Sequence, residues 1–237
     1  MAPLLAPSPN ADARPGPVDF LVLHYTGMQT AAAALARLCD PAAKVSAHYL
    51  VDEDGAVYQL VDEQMRAWHA GVSFWRGARQ LNDRSIGIEI VNPGHEFGYR
   101  RFPPAQMQAV AGLCLGILSR HDIPPGHVLG HSDIAPNRKQ DPGELFDWAW
   151  LAGQGVGLWT DEADEPGDLA AALAAIGYDL SFPLPVLITA FQRHFLPKNL
   201  GGGADEATRS RAAAVRRLMP ARPLVEEGRG AHPAPET

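Results

Sequence analysis

Residues Ser85-Ile86-Gly87-Ile88-Glu89-Ile90-Val91 place the tightest constraint on what this chain can fold into. Their period is two, so Ile86, Ile88 and Ile90 share one face of a strand, and Gly87, Glu89 and Val91 share the other. The isoleucine face has to pack against a second layer. The other face carries a carboxylate, and burying one unpaired is costly. Glu89 therefore either meets water on a half-exposed sheet or sits in a cleft, where it is placed to act as a general base.

The flanking sequence supplies the layers. Val18 to Tyr25 is a short apolar run that suits a buried strand whose C-terminal end carries His24. Thr30 to Leu38 is rich in Ala and Leu and reads as a helix. Ala47–Val51 and Ala56–Val61 flank Asp52-Glu53-Asp54-Gly55, which makes a hairpin. Pro103-Pro104 opens the longest helix, with Met107, Val110, Cys114, Ile117 and Leu118 at helical spacing, and His127–Gly130 is a further short strand. Strands alternating with helices, together with the hairpin, predict an α/β fold with a mixed central sheet flanked by helices over residues 18–155.

An acidic link, Trp159–Gly167, leads to three short helical patterns at Asp168–Ile176, Leu184–Phe195 and Asp205–Met219. These predict a small three-helix C-terminal domain over 165–219, either moving independently of the first or docked on it and stabilising it. Residues 1–17, with five prolines, read as a flexible N-terminus, and the Pro- and Gly-rich tail 220–237 as disordered.

Composition excludes some functions. A net charge of -7 argues against nucleic-acid binding. No run approaches the ~18 consecutive apolar residues of a membrane span. No basic region precedes an apolar run near Met1, and the first cysteine is Cys39, so a cytoplasmic location is expected, with the periplasm as the alternative. Cys39 and Cys114 read as buried free thiols.

The chemistry concentrates in Gly130-His131-Ser132-Asp133-Ile134-Ala135-Pro136-Asn137-Arg138-Lys139-Gln140-Asp141-Pro142-Gly143. Imidazole and carboxylate are ordinary zinc ligands, and catalytic zinc takes three of them. His131 and Asp141 can supply two, or else be solvated loop residues. His24 is the natural third, because the ends of sheet strands are where such folds build sites. His48, His69, His95, His121 and His127 compete on composition alone. Lys139 is either a surface lysine or, near a metal, a stabiliser of an oxyanion.

Leu23-His24-Tyr25-Thr26, Val45-Ser46-Ala47-His48-Tyr49, Ser85-Ile86-Gly87-Ile88-Glu89 and the His131–Gly143 segment together resemble the zinc-dependent N-acetylmuramoyl-L-alanine amidases, including the bacterial amidases of cell-wall recycling. The resemblance spans about residues 18–150. It implies that His24, His131 and Asp141 bind Zn2+, that Glu89 is the general base and that Lys139 stabilises the transition state. His48 and His69 receive no ligand role. The implied reaction is hydrolysis of the amide between N-acetylmuramic acid and L-alanine in peptidoglycan or muropeptides. The alternatives are a non-catalytic peptidoglycan-recognition protein and an amidase restricted to 1,6-anhydro muropeptides. Glu144 stands where relatives often have proline. Leu173–Phe195 and the helix after Gly201-Gly202-Gly203 are similar to a three-helix peptidoglycan-binding domain, which implies binding to the polymer without a part in the chemistry.

Overall fold

The computed structural model of the protein describes residues 3–219 apart from 202, so the tail expected to be disordered lies outside the described residues. The strands in chain order are β1 (Leu4–Leu5), β2 (Ala11–Ala13), β3 (Phe20–Tyr25), β4 (Tyr49–Val51), β5 (Val57–Gln59), β6 (Met65–Ala67), β7 (Phe74–Trp75), β8 (Ala78–Arg79), β9 (Ser85–Ile90) and β10 (Val128–Gly130). The helices are α1 (Ala31–Leu38), α2 (Gly94–Phe97), α3 (Pro104–Leu118), α4 (His131–Ile134), α5 (Trp148–Gly153), α6 (Leu169–Ile176), α7 (Leu184–Phe195) and α8 (Glu206–Leu218).

A mixed sheet runs β1-β5-β4-β9-β3-β10 among the described residues. The expected hairpin is antiparallel β4 and β5, with Tyr49 opposite Gln59 and Gly55 at φ 90° in the turn. The central strands β4, β9, β3 and β10 are parallel to one another. In β9 the three isoleucines are fully buried against a cluster that includes Met107, Val110, Cys114 and Ile117 of α3. Leu21 and Leu23 of β3 join that cluster, whereas Phe20 and Val22 belong to another. Alternation along the strand has divided the sheet into two faces.

Helix ends follow their local chemistry. The side chains of Thr30, Asp168 and Asp205 accept hydrogen bonds from Ala33, Ala171 and Thr208 and so satisfy orphan donors at the starts of α1, α6 and α8.

One expectation is corrected. The segment expected to be flexible is paired: β1 runs parallel to β5 and β2 antiparallel to β6. Between them Asn10 is buried, and its side chain donates to the carbonyls of Asp40 and Val45. Pairs of two or three residues are too short for periodicity to reveal. The three C-terminal helices keep the expected positions and, of the two arrangements open to them, take the docked one. One apolar cluster runs from Phe20 and Val22 of the sheet through Trp75 and Leu129 to Leu173, Ile176, Phe191 and Val215. Amphipathic stripes demand burial but do not name the surface that buries them. Of the thiols, Cys114 is buried as expected, while Cys39 caps α1 and is half-exposed.

Candidate metal centre

His24 lies near the C-terminal end of β3, on the face opposite the isoleucine layer, and its direct cross-strand neighbour on β9 is Glu89. Opposed residues of neighbouring strands hold their side chains side by side on one face. The parallel strand β10 then delivers Gly130 beside Leu23 and runs straight into α4, whose first residue is His131. Gly130 must lack a side chain, because a Cβ there would lie 2.8 Å from Pro142 Cδ. That close approach lets the loop return, and Ser132 N–H donates to the Asp141 carbonyl at 2.9 Å.

Three donor atoms meet as a result. His24 Nδ1 lies 2.9 Å from His131 Nδ1 and 3.0 Å from Asp141 Oδ2, which is 3.1 Å from His131 Nδ1. All three residues are buried. A single shared proton bridges only two such atoms, whereas a cation at their centre satisfies all three. Ligand distances of ~2.0–2.2 Å to zinc put neighbouring donors at similar spacing, so the set fits such an ion. Electrostatics agree. Burial, then His131, lowers the pKa of His24 to about 4, which keeps its imidazole neutral. Burial alone would raise Asp141, but His131 and His24 hold it well below the usual carboxylate range.

Glu89 does not join the donor set. Burial, reinforced by the charge of Asp141, pushes its pKa well above the usual range, against the opposing pull of Lys139. Its Oε2 is buried without a hydrogen-bond partner among the described residues. Glu89, Lys139, His131 and Asp141 line one cleft of about 380 Å³ with Tyr25 and Arg37. Of the two positions open to Glu89, the structure realises the cleft.

The sequence between residues 14 and 144 matches the family described as N-acetylmuramoyl-L-alanine amidase. The chain belongs to that family. It is an enzyme that hydrolyses the amide between N-acetylmuramic acid and L-alanine. The N-acetylmuramoyl-L-alanine amidase AmiD of Escherichia coli is 41% identical over 229 residues, covering 84% of this chain and 82% of the relative. Its complex with anhydro-N-acetylmuramic acid-L-Ala-D-γ-Glu-L-Lys superposes with a TM-score of 0.75 at 40% identity, over 84% of this chain and 89% of that one. AmpDh3 of Pseudomonas aeruginosa, solved with an anhydromuramic pentapeptide, gives 0.79 at 37% identity, over 86% and 93%. The 1,6-anhydro-N-acetylmuramyl-L-alanine amidase AmpD of E. coli is 42% identical over 106 residues, 45% of this chain and 56% of the relative.

Around the amidase centre stand residues that sequence reasoning missed. His69 Nδ1 lies 3.0 Å from His24 Nε2, and the Ala70 carbonyl accepts from His131 Nε2 at 3.1 Å. Asp133, fully buried, takes a hydrogen bond from Gly130 N–H at 2.8 Å and one from Tyr178 Oη–H at 2.8 Å. Its Oδ2 also meets His194 Nδ1 at 2.7 Å, and the His194 ring stacks between Trp148 and Phe195. The C-terminal helices and the turn at Tyr178 therefore grip α4, which carries His131. Only the position of Asp133, two residues after His131, could have signalled this.

The remaining histidines among the described residues are engaged elsewhere. His48 Nδ1 accepts from Gly87 N–H, His121 pairs with Glu63, and His127 lies 2.9 Å from the Asp19 carbonyl. His95 bridges Tyr25 and Glu144, and Glu144 also faces Arg193 Nε at 3.6 Å. No helix among the described residues is long and apolar enough to cross a membrane.

Proposed function

We propose that the amidase holds Zn2+ on His24, His131 and Asp141 and accepts muropeptides, 1,6-anhydro muropeptides included. The observation that carries the reading is the convergence of three buried donor atoms on one point, with Glu89 in register beside His24. The substrate class is supported by AmiD and AmpDh3, relatives matched over most of their solved chains and solved with anhydromuramyl peptides. Zinc, when bound, supplies Lewis acidity that polarises the amide carbonyl and acidifies water.

Glu89 accepts the proton of the attacking water and returns it to the departing amine of L-alanine. Its buried, unpartnered Oε2 is free to take the proton. Lys139, on the wall of the same cleft, places an ammonium against the charge that develops on the carbonyl oxygen. Arg37 and Tyr25 line the same cleft.

The test is mass spectrometry of products from 1,6-anhydro muropeptides and from insoluble sacculi, using protein assayed for zinc. About one zinc per chain is expected, with release of peptides beginning at L-alanine from the soluble substrate. Zinc-loaded protein that leaves both substrates uncut would contradict the reading.

A further inference from the structure

We propose that His69 is a positioning residue that fixes the tautomer of His24, turning the bare Nδ1 of that ring toward the metal. The proposal rests on the reading of His24 as a ligand.

The direction of a hydrogen-bond chain decides it. The Leu81 carbonyl can only accept, and Ser85 Oγ lies 2.5 Å from it, so the single hydroxyl proton of Ser85 goes there. Ser85 Oγ, 3.1 Å from His69 Nε2, is then left to accept, and His69 carries its proton on Nε2. A neutral ring protonated there presents a lone pair at Nδ1, which faces His24 Nε2 at 3.0 Å. His24 must therefore be protonated on Nε2, which leaves Nδ1 bare on the side of His131 and Asp141. Each link follows from the one before, and the origin is a backbone carbonyl that cannot reverse.

The surroundings hold His69 in place. His69, Ser85 and His24 are all buried. The ring lies directly over Gly87, where a Cβ would come within 2.4 Å of His69 Cγ. The Asn82 side chain accepts from the backbone N–H groups of both His69 and Ala70 at 3.0 and 2.7 Å. Because the Ala70 carbonyl holds His131 Nε2, one anchored dipeptide orients both histidines. Outer partners of this kind set ligand orientation and basicity.

The experiment measures zinc affinity by chelator competition for the full chain and for H69F, H69Q and H24A. Phe keeps a ring but cannot accept, so H69F is expected to bind zinc ~10–100-fold more weakly. Gln accepts with its carbonyl and donates with its amide, so H69Q should recover most of the loss. In the ¹⁵N-labelled, zinc-loaded parent, His69 should carry its proton on Nε2 and show a scalar coupling from Nδ1 to His24 Nε2. A folded H69F with parental affinity, or a His69 protonated on Nδ1, would overturn the proposal. H24A separates the two readings. If it binds zinc as tightly as the parent, the ligand assignment fails; if it loses zinc while H69F does not, the positioning role alone fails.

Discussion

The two faces of β9 differ in almost every physical respect. Toward α3 it presents Ile86, Ile88 and Ile90, all at 0% exposure in a dry layer with Val110 and Ile117. Toward the cleft it presents Ser85, Gly87 and Glu89: a hydroxyl that ends a hydrogen-bond chain, a bare backbone on which His69 rests, and a carboxylate with an unpartnered oxygen. Neighbouring β3 repeats the division, with Leu21 and Leu23 on the dry side and His24 on the other. One strand thus lines the core and the cleft at alternate residues. The two can be disturbed separately.

The largest disturbance is to the cover over the far end of the cleft face. Phe20 and Val22 lie there in one cluster with the C-terminal helices. A chain ending at Glu162 uncovers partners of Leu173, Ile176, Leu187 and Phe191, each at 0–1% exposure. Burying such a side chain contributes ~1.5–3 kcal/mol, and whole domains hold only ~5–15 kcal/mol. The truncated protein is expected to lose its cooperative thermal transition or precipitate. A soluble truncation that melts like the parent would mean that the two faces do not depend on the third layer.

On the dry face, I88A should cost ~2–5 kcal/mol in denaturant unfolding, as other buried large-to-small changes do. Zinc content and turnover of the folded fraction should stay close to those of the parent. A selective loss of metal would show that the faces are coupled through the strand.

Smaller again is Y178F, which removes one donor from the buried Asp133 carboxylate. Hydrogen bonds to charged groups are worth ~1.5–3 kcal/mol, and the loss should appear in unfolding. Because Gly130 and His194 still hold Asp133, zinc binding should weaken only slightly. A complete loss of zinc would make the C-terminal helices part of the centre itself.

These contrasts also explain what could be read from the chain alone. The alternation of β9 was legible because a period of two needs only seven residues to show itself. His24 was legible as a polar side chain ending an apolar run. Glu89 stayed open between solvent and cleft, since the choice depends on its register with His24 across two strands. The seat of the C-terminal helices was hidden for a related reason. The stripe of Leu187 and Phe191 fits its own neighbours as well as a sheet, and the contact between Asp133 and His194 joins residues 61 apart. Phe74–Trp75 and Ala78–Arg79 carry no periodic signal, yet they form paired strands, with Trp75 packed edge-to-face on Tyr178 and the Arg76 backbone N–H donating to the Gly177 carbonyl.

The central claim is that the cleft face separates holding the metal from moving the proton, on adjacent strands. Zinc content and turnover measured side by side for H24A and E89Q test it most directly. H24A is expected to lose most of its zinc and its activity together. E89Q keeps the shape and removes the base, so it should retain about one zinc per chain while turnover falls ~10²–10⁴-fold. If E89Q lost its zinc, Glu89 would be a ligand and the division of labour between β3 and β9 would be wrong.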